Sequence, residues 1–451
     1  MITDGLQTAL NEIRETLIQD NTLYQEQIPL VNHYTSSQVY GQSLLALPSD
    51  LRNKFINSLV NRIAYTKFVM NYFKNPLRDL QNDELPLGAI GQEIYINPAH
   101  ARVYDIDDFA GLLAKYESDV KTEYSEINFD VQYPVTIVRR ELEKAFTSWT
   151  DFENFLSGIS TSLYNGAYID DYKYTKKLIT NAYRNNAVQM EVFSFSNPSA
   201  PTDTELKNLI ARLREMYLNF MTPSTKYNAW SKVGGYGRSI VSWSNPEDIV
   251  VFVNNKMASI IDVDVLSVAF NMDRASLLGK IYYVEDFNEY NDEGVMTYDG
   301  SNIYALICDR RWFKIRNKAM FMDEFYNANN RSWQQYLNVI KAFNYSLFAN
   351  AYMLVGAIPT IASTAITFND TSIAISGAKK VLAKITTTPF NSTDTITFTS
   401  SDTLETYVKI TKVDNRTVEI ESVSNTSDAV TITASNGTVS GTVSVTVSGI
   451  A

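Results

Sequence analysis

Reactive side chains are scarce in this sequence of 451 residues, which holds one cysteine, Cys308, and two histidines, His33 and His100. A lone thiol excludes an intrachain disulfide, and three such residues cannot furnish a Cys/His zinc site. Ser-His-Asp or Cys-His catalysis would have to be built on one of the two histidines, and no nucleophile motif lies beside either. Carboxylates are plentiful, 50 Asp and Glu against 39 Lys and Arg. At that density pairs arise by chance, and none stands out as a general acid/base couple.

Three groupings could still do something. Residues 103–130 hold eight acids, among them Asp105, Asp107, Asp108, Glu117 and Asp119, against Lys115 and Lys121. Such a run is a solvated face, a calcium site, or a loop that meets a basic patch on another copy of the chain. The calcium reading lacks the glycine and the distal bidentate Glu of an EF-hand loop. Arg310, Arg311, Lys314, Arg316 and Lys318 surround Trp312 and form a candidate mate for the acids. The alternatives for this cluster are a solvated face and contact with nucleic acid, because cations and an aromatic are interleaved. Gly234, Gly235, Tyr236 and Gly237 make a glycine-rich run with no Lys-Ser/Thr after it, so it reads as a mobile loop and not a P-loop. Asp264 sits where a helix cap belongs, and with Asp262 it gives no firm metal pair. No cofactor is expected.

The elements that must carry these groups are legible in part. Leu6, Leu10, Ile13 and Leu17 form an apolar stripe at helical spacing behind Asp4. That helix either lies on the body of the protein or is exchanged with a neighbouring subunit. A second helix starts at Ser49 or Asp50, with Leu51, Phe55, Leu59 and Ile63 on one side. From Val69 the periodicity dissolves into an extended, turn-broken segment with Pro76, Pro86, Pro98, Gly88 and Gly91. Phe152, Phe155, Ile159 and Leu163 share a helical face that Tyr174, Leu178 and Ala182 continue past an expected kink at Gly166. Thr202 and Glu205 make a capping box for a helix running to about Phe220. Strands are expected at 249–253, 281–284 and 303–307, with a short helix at 264–270, and this alternation suits a three-layer α+β domain. Cys308 reads as a buried core thiol.

Composition breaks near residue 358. All five Trp precede it, and of the 94 residues from 358 onward 34 are Ser or Thr and four are aromatic. Residues 405–413 and 417–423 alternate apolar with polar around Asp414-Asn415-Arg416, which reads as a hairpin. Residues 430–433 and 443–447 alternate likewise, with a turn at Asn436-Gly437. This is the pattern of a small β-sandwich. The uncharged stretch 342–369 is broken by Asn344, Asn350, Gly356 and Pro359, so it reads as a buried strand entering a linker and not as a membrane span. The opening MITDGLQTALNEIRE carries acids where a signal peptide needs an unbroken apolar stretch.

Two resemblances follow from longer motifs. AISGAKKVLAKITTTPFNSTDTITFTSSD (374–402) with VTITASNGTVSGTVSVTVS (430–448) resembles the bacterial immunoglobulin-like group 2 domain, with Phe398 where that family often has Trp. NPL (75–77), LPLG (85–88), EIY (93–95), SWTDFENF (148–155), DVDVLSVAFNM (262–272), DRRWF (309–313) and SLFANAYMLV (346–355) occur in the order seen in the major capsid protein of the small phi-29-type podoviruses. The body is similar to that family across nearly the whole chain. The resemblance implies an α+β Hong Kong 97-type shell fold followed by an all-β immunoglobulin-like sandwich. It divides the chain into an N-terminal arm (1–45), a shell domain (46–357) and an outer domain (358–451). Within the shell domain it implies an extended loop at 72–138, a spine helix region at 149–186 and an axial domain at 203–305, with Gly234–Gly237 as an axial loop.

The function so implied is self-assembly into the icosahedral head shell of a tailed bacteriophage around double-stranded DNA, with no catalysis. The implied partners are further copies in pentamers and hexamers, a scaffolding protein, a portal, and head fibre or decoration proteins. Contact with DNA on the inner face would be weak and non-specific, no membrane is involved, and assembly would occur in the bacterial host cytoplasm. A formal charge of −11 opposes a grip on nucleic acid by the whole surface but not confinement of it. The rival readings are an adhesin that recognises host glycans through its sandwich, and a glycoside hydrolase with two carboxylates. The first leaves the helical, charged body unexplained, and the second lacks an aromatic-lined cleft with a perturbed acid.

Overall fold

The structure is a computed structural model. It describes residues 2, 4–65, 73–84, 90–101, 115–197, 201–230, 232, 239–255, 280–426 and 428–450. Two compact units emerge: Met1–Gln92, Tyr124–Thr175 and Phe313–Asn344 form the first, and Glu93–Glu123, Lys176–Trp312 and Tyr345–Ala451 the second. The short helix expected at 264–270, with Asp262 and Asp264, lies outside the described residues.

In the first unit the chain begins with helices Asp4–Ile18, Leu23–Gln27, Ser37–Ala46 and Ser49–Tyr65. Leu6, Leu10, Ile13 and Leu17 are all buried, as are Leu51, Phe55 and Leu59. The stripe therefore rests on its own unit. Arg14 reinforces this by donating from Nε to Ile28 O (2.7 Å) and from Nη2 to Gln25 O (3.1 Å). Those carbonyls belong to the end of a short helix, where no intrahelical partner exists. Tyr24 donates its phenol to Leu51 O at 2.7 Å. Residues 1–45 are thus a packed helical layer, which favours the helix lying on the body over an exchanged arm.

Above these helices lies a four-stranded sheet in the order Gln81–Glu84, Phe313–Asn327, Ser332–Tyr345, Phe129–Val138. Phe129–Val138 runs antiparallel to the strand from Ser332, in register from Ser332 opposite Val138 to Lys341 opposite Phe129. Both ends of the extended 72–138 segment are therefore held in this sheet. Alternate residues Trp333, Leu337, Val339 and Lys341 are buried, as a period of two requires.

The helix Trp149–Arg184 runs unbroken through Gly166. Glycine at 166 also meets a local demand for space. A Cβ at 166 would stand 3.1 Å from Tyr133 Cδ1, and Tyr133 cannot swing away because it donates to Asp170 Oδ2 at 2.7 Å. One turn on, Asp171 takes Lys341 Nζ on both oxygens at 2.6 Å, with both residues under 10% exposed.

The second unit centres on a five-stranded sheet, Gln189–Val192, Ala351–Val355, Ile303–Asp309, Ile249–Asn254, Lys280–Val284. Ile303–Asp309 is antiparallel to both neighbours and the outer pairs are parallel. Helix Asp203–Phe220 lays Leu206, Leu209, Ile210 and Leu213 against Ile249, Val251, Ala305 and Ile307. Residues of opposite parity, Val250, Phe252, Leu306, Cys308 and Met353, are buried too. Both faces are covered, as three layers require. Burial, with Asp309 alongside, pushes the Cys308 thiol well up, so it is an inert core group. Thr202 caps the helix, and Glu205 accepts from the backbone and hydroxyl of both Ser196 and Thr202 at 2.7–2.9 Å.

From Ala365 the chain forms two four-stranded sheets, ordered Ala365–Phe368, Lys380–Thr388, Thr417–Ser422, Val408–Lys412 and Ser372–Ser376, Ser440–Ser448, Val430–Ser435, Thr397–Ser400. Ala383, Val418 and Ile420 from one sheet meet Ile375, Ile432 and Val445 from the other. This is a sandwich with its own core, and both expected hairpins are present. Gly437 has φ +92°, a value that favours glycine in the turn. Asn186 Nδ2 donates to Asn391 O (3.1 Å), and Asn391 Nδ2 returns a bond to Asn185 O (2.5 Å). These bonds join the sandwich to the end of the long helix.

Removing one partner of the Lys341–Asp171 pair should be costly, because it strands a buried charge. Lys341→Met is expected to lower the unfolding free energy by about 3–5 kcal/mol, and K341M with D171L to recover most of it; urea unfolding of the unassembled chain reads both. Four hydrogen bonds hold the Glu205 carboxyl at about 2, below its ordinary 4.5. A depressed carboxyl stabilises the fold at pH above its ordinary value, and that contribution is lost as pH falls through the folded value. Melting temperatures from about pH 4.5 to about pH 2 should therefore fall less steeply for Glu205→Gln than for the wild type.

Candidate functional site

Asp105, Asp107 and Asp108 lie outside the described residues, as do Gly234, Gly235, Tyr236 and Gly237. Glu117 is exposed and pairs with Lys115 at 2.6 Å. Asp119 is used inside the chain: it accepts from Lys121 Nζ at 2.8 Å and from Asn97 Nδ2 at 2.7 Å.

The cations divide between the units, Arg310 and Arg311 in the second and Lys314, Arg316 and Lys318 in the first. Arg311 grips Asp309 through Nε (3.0 Å) and Nη2 (2.7 Å). Since Asp309 is fully buried, that pair anchors the end of a core strand, and the carboxylate raises the guanidinium pKa further. Arg316 is 8% exposed, and Trp312 is fully buried with its ring stacked on Tyr345 at 5.4 Å. A base-stacking platform needs an accessible ring, so the nucleic-acid reading of this cluster is corrected. Interleaved Arg and Trp here serve a strand end.

The feature that charge counting missed is a two-stranded ribbon, Gly91–Ile96 with Val120–Ser125. One side is fastened within the second unit. Tyr95 donates its phenol to Val241 O and sets its ring 5.7 Å from Phe348. Asn97 N donates to Asp119 O (3.0 Å), and Asn97 Nδ2 to Ser239 O (3.2 Å). Glu123 accepts from Leu347 N at 3.1 Å. The other side exposes Ile94 (57%), Ile96 (60%) and Val120 (48%). Alternation along a strand makes such two-faced behaviour automatic, and the signal was present in Glu93-Ile94-Tyr95-Ile96. A rigid apolar strip left in water is a protein-binding feature, and covering each Ile is worth about 1.5–3 kcal/mol.

Beside the fastened side lies a surface cavity of about 150 Å³, lined by Glu93, Tyr95, Trp243, Arg311, Phe348 and Ala349. A polar network sets its floor: Ser242 Oγ donates to Asn350 Oδ1 (2.6 Å) and accepts from Asn228 Nδ2 (3.1 Å). Among the described residues no group of three or more His, Cys, Asp or Glu is gathered to hold a metal ion, and no helix is long and apolar enough to cross a membrane.

Comparison with known proteins agrees with this picture of surfaces without reactive groups. Residues 10–355 match the model of the Phi29-like phage major capsid protein family. The major capsid protein of Bacillus phage B103 is 28% identical over 349 residues, 77% of this chain and 72% of that protein. That of Streptococcus phage Cp-1 is 25% identical over 356 residues, covering 76% of this chain and 92% of that protein. Among solved structures, the capsid of Staphylococcus phage Andhra superposes with a TM-score of 0.51 at 14% identity, over 65% of this chain and 87% of that one; this likeness is one of fold alone. The family match takes in both units and stops where the sandwich begins. The chain belongs to the Phi29-like phage major capsid protein family, and it is a structural component of the virion head shell, not an enzyme.

Proposed function

We propose that the chain builds an icosahedral, Hong Kong 97-type shell of pentamers and hexamers around double-stranded DNA, and that neighbouring copies cover each other's ribbons. The observation that carries this reading is the ribbon itself, fastened on one side and bare and apolar on the other. An apolar strip of this kind is covered on binding a second body, and in a shell the abundant second body is another copy. The extended segment 72–138 then reaches over the neighbour, with Asp105, Asp107, Asp108 and Glu117 steering its approach. Of the cations, Lys318 is the better mate, since Arg311 is committed to Asp309 and Arg316 is buried.

The division into 1–45, 46–357 and 358–451 follows the same reading, with 149–186 as the spine, 203–305 as the axial domain and Gly234–Gly237 at the capsomer axis. The packed helices of 1–45 support an N-terminal layer in place of a free arm. The tail, with separate hairpins and a separate core, is an immunoglobulin-like group 2 domain on the outer surface. A scaffolding protein, a portal and head fibre proteins complete the head. Packaged DNA meets the inner face weakly, in keeping with the net negative charge.

Replacing Ile94 and Ile96 by Asp should abolish closed shells while leaving a folded, soluble chain with an unchanged melting temperature. Sedimentation velocity and negative-stain microscopy read the first, and circular dichroism the second. Shells at wild-type yield would refute the ribbon contact. A chain ended after Ala357 should still assemble, because the sandwich core draws on residues 366–450 alone; particles of normal diameter lacking outer density are the expected result.

A further inference from the structure

Tyr34 is 97% exposed, yet nothing about its turn is loose. Asn32 N donates to Thr35 Oγ1 (2.8 Å), Tyr34 N to Asn32 Oδ1 (2.9 Å) and Thr35 N to Asn32 O (3.0 Å). From one side Asn11 exchanges two 2.9 Å hydrogen bonds with the backbone of Val31. From the other, the nearly buried Trp149 donates its indole N–H to Thr35 O at 2.8 Å. Two helices thus brace a turn that presents one aromatic ring to solvent. The backbone that carries the ring is therefore fixed before binding, and a tyrosine, with only two side-chain torsions to freeze, is a common anchor at interfaces.

The cavity lined by Tyr95, Trp243, Phe348 and Arg311 has the complementary character. Its volume, about 150 Å³, is that of an apolar cavity that holds one benzene ring. Aromatic walls accept a ring edge to face, and Arg311 and Glu93 at the rim offer a phenol a donor and an acceptor. Arg311 is fixed by Asp309 and by the bond from Nη2 to Trp243 O (3.4 Å), so the walls are formed before anything enters. Other exposed tyrosines suit it less: Tyr124 is hydrogen-bonded to Gln92, and Tyr116 has interactions within the chain.

We propose that Tyr34 of one copy seats in the Tyr95–Trp243–Phe348–Arg311 cavity of the next copy in the shell. Knob and hole are different surfaces, so the contact is heterologous and passes from copy to copy around a ring, as a capsomer demands. It rests on the shell-forming role and not on the ribbon contact; since Glu93 and Tyr95 of the ribbon strand line the cavity, the Tyr34 and Ala349 variants, which leave the ribbon's sequence untouched, are the ones that separate the two ideas.

The only native thiol, Cys308, is fully buried, so introduced cysteines can be read without background. Shells assembled from the double variant Tyr34→Cys with Ala349→Cys are oxidised with copper–phenanthroline and run without reductant. A ladder of covalently linked copies is expected, with neither single variant giving one. No ladder from intact shells whose two thiols both label after dissociation overturns the proposal, as does cross-linking of Tyr34→Cys solely to another virion protein. If the double variant does not assemble, the yield of shells decides. Tyr34→Ala and the cavity-filling Ala349→Trp should each lower that yield at least about tenfold, with the melting temperature unchanged, while Tyr34→Phe keeps most of it. Wild-type yields from Tyr34→Ala and Ala349→Trp also overturn it.

Discussion

Much of the molecule depends on one ladder, the pairing of Phe129–Val138 with Ser332–Lys341. It joins residues such as Gln132 and Asn338, which are 206 positions apart and share a 2.9 Å amide bond. Closing so long a loop costs entropy that short-range structure cannot repay, so the ladder needs independent support. The long helix supplies it through Tyr133–Asp170 and Lys341–Asp171. With that sheet set, the segments on either side of it have fixed starting points. In sequence, the ribbon strand Val120–Ser125 runs into one strand of the ladder and the core strand Ala351–Val355 follows the other.

The charge pattern has a second consequence for how this chain works. Cations that could have made a sticky surface are spent internally. Arg14 closes helix-end carbonyls, Arg311 locks a strand end, and Lys176 pairs with Glu285 at 2.6 Å. Lys232 bonds Asn186 Oδ1 and Val188 O and is brought down to about 8, by burial first and by Arg416 second.

Sequence reading succeeded where the signal is local. The stripe at Leu6, Leu10, Ile13 and Leu17, the Thr202–Glu205 box, and the hairpins at 414–416 and 436–437 are short-range patterns, and the structure has them all. It failed where the reason lies far along the chain. Gly166 reads as a kink point, and the close approach of Tyr133 to it is invisible in the local pattern. Arg310–Lys318 reads as one basic patch until Trp312 turns inward and the flanking residues part between two units. The ribbon escaped because its acids drew attention away from the alternation beneath them. Family membership was legible in the order of motifs, while the exposed apolar side of the ribbon needed burial to be seen.

The junction of sandwich and body has a mechanical meaning. Just past the long helix, Asn186 donates to Asn391 O and Asn391 to Asn185 O, and Tyr183 donates to Ala357 O at 2.7 Å, just past the core strand Ala351–Val355. A tug on the sandwich therefore enters the end of that helix and an inner strand of the five-stranded sheet together.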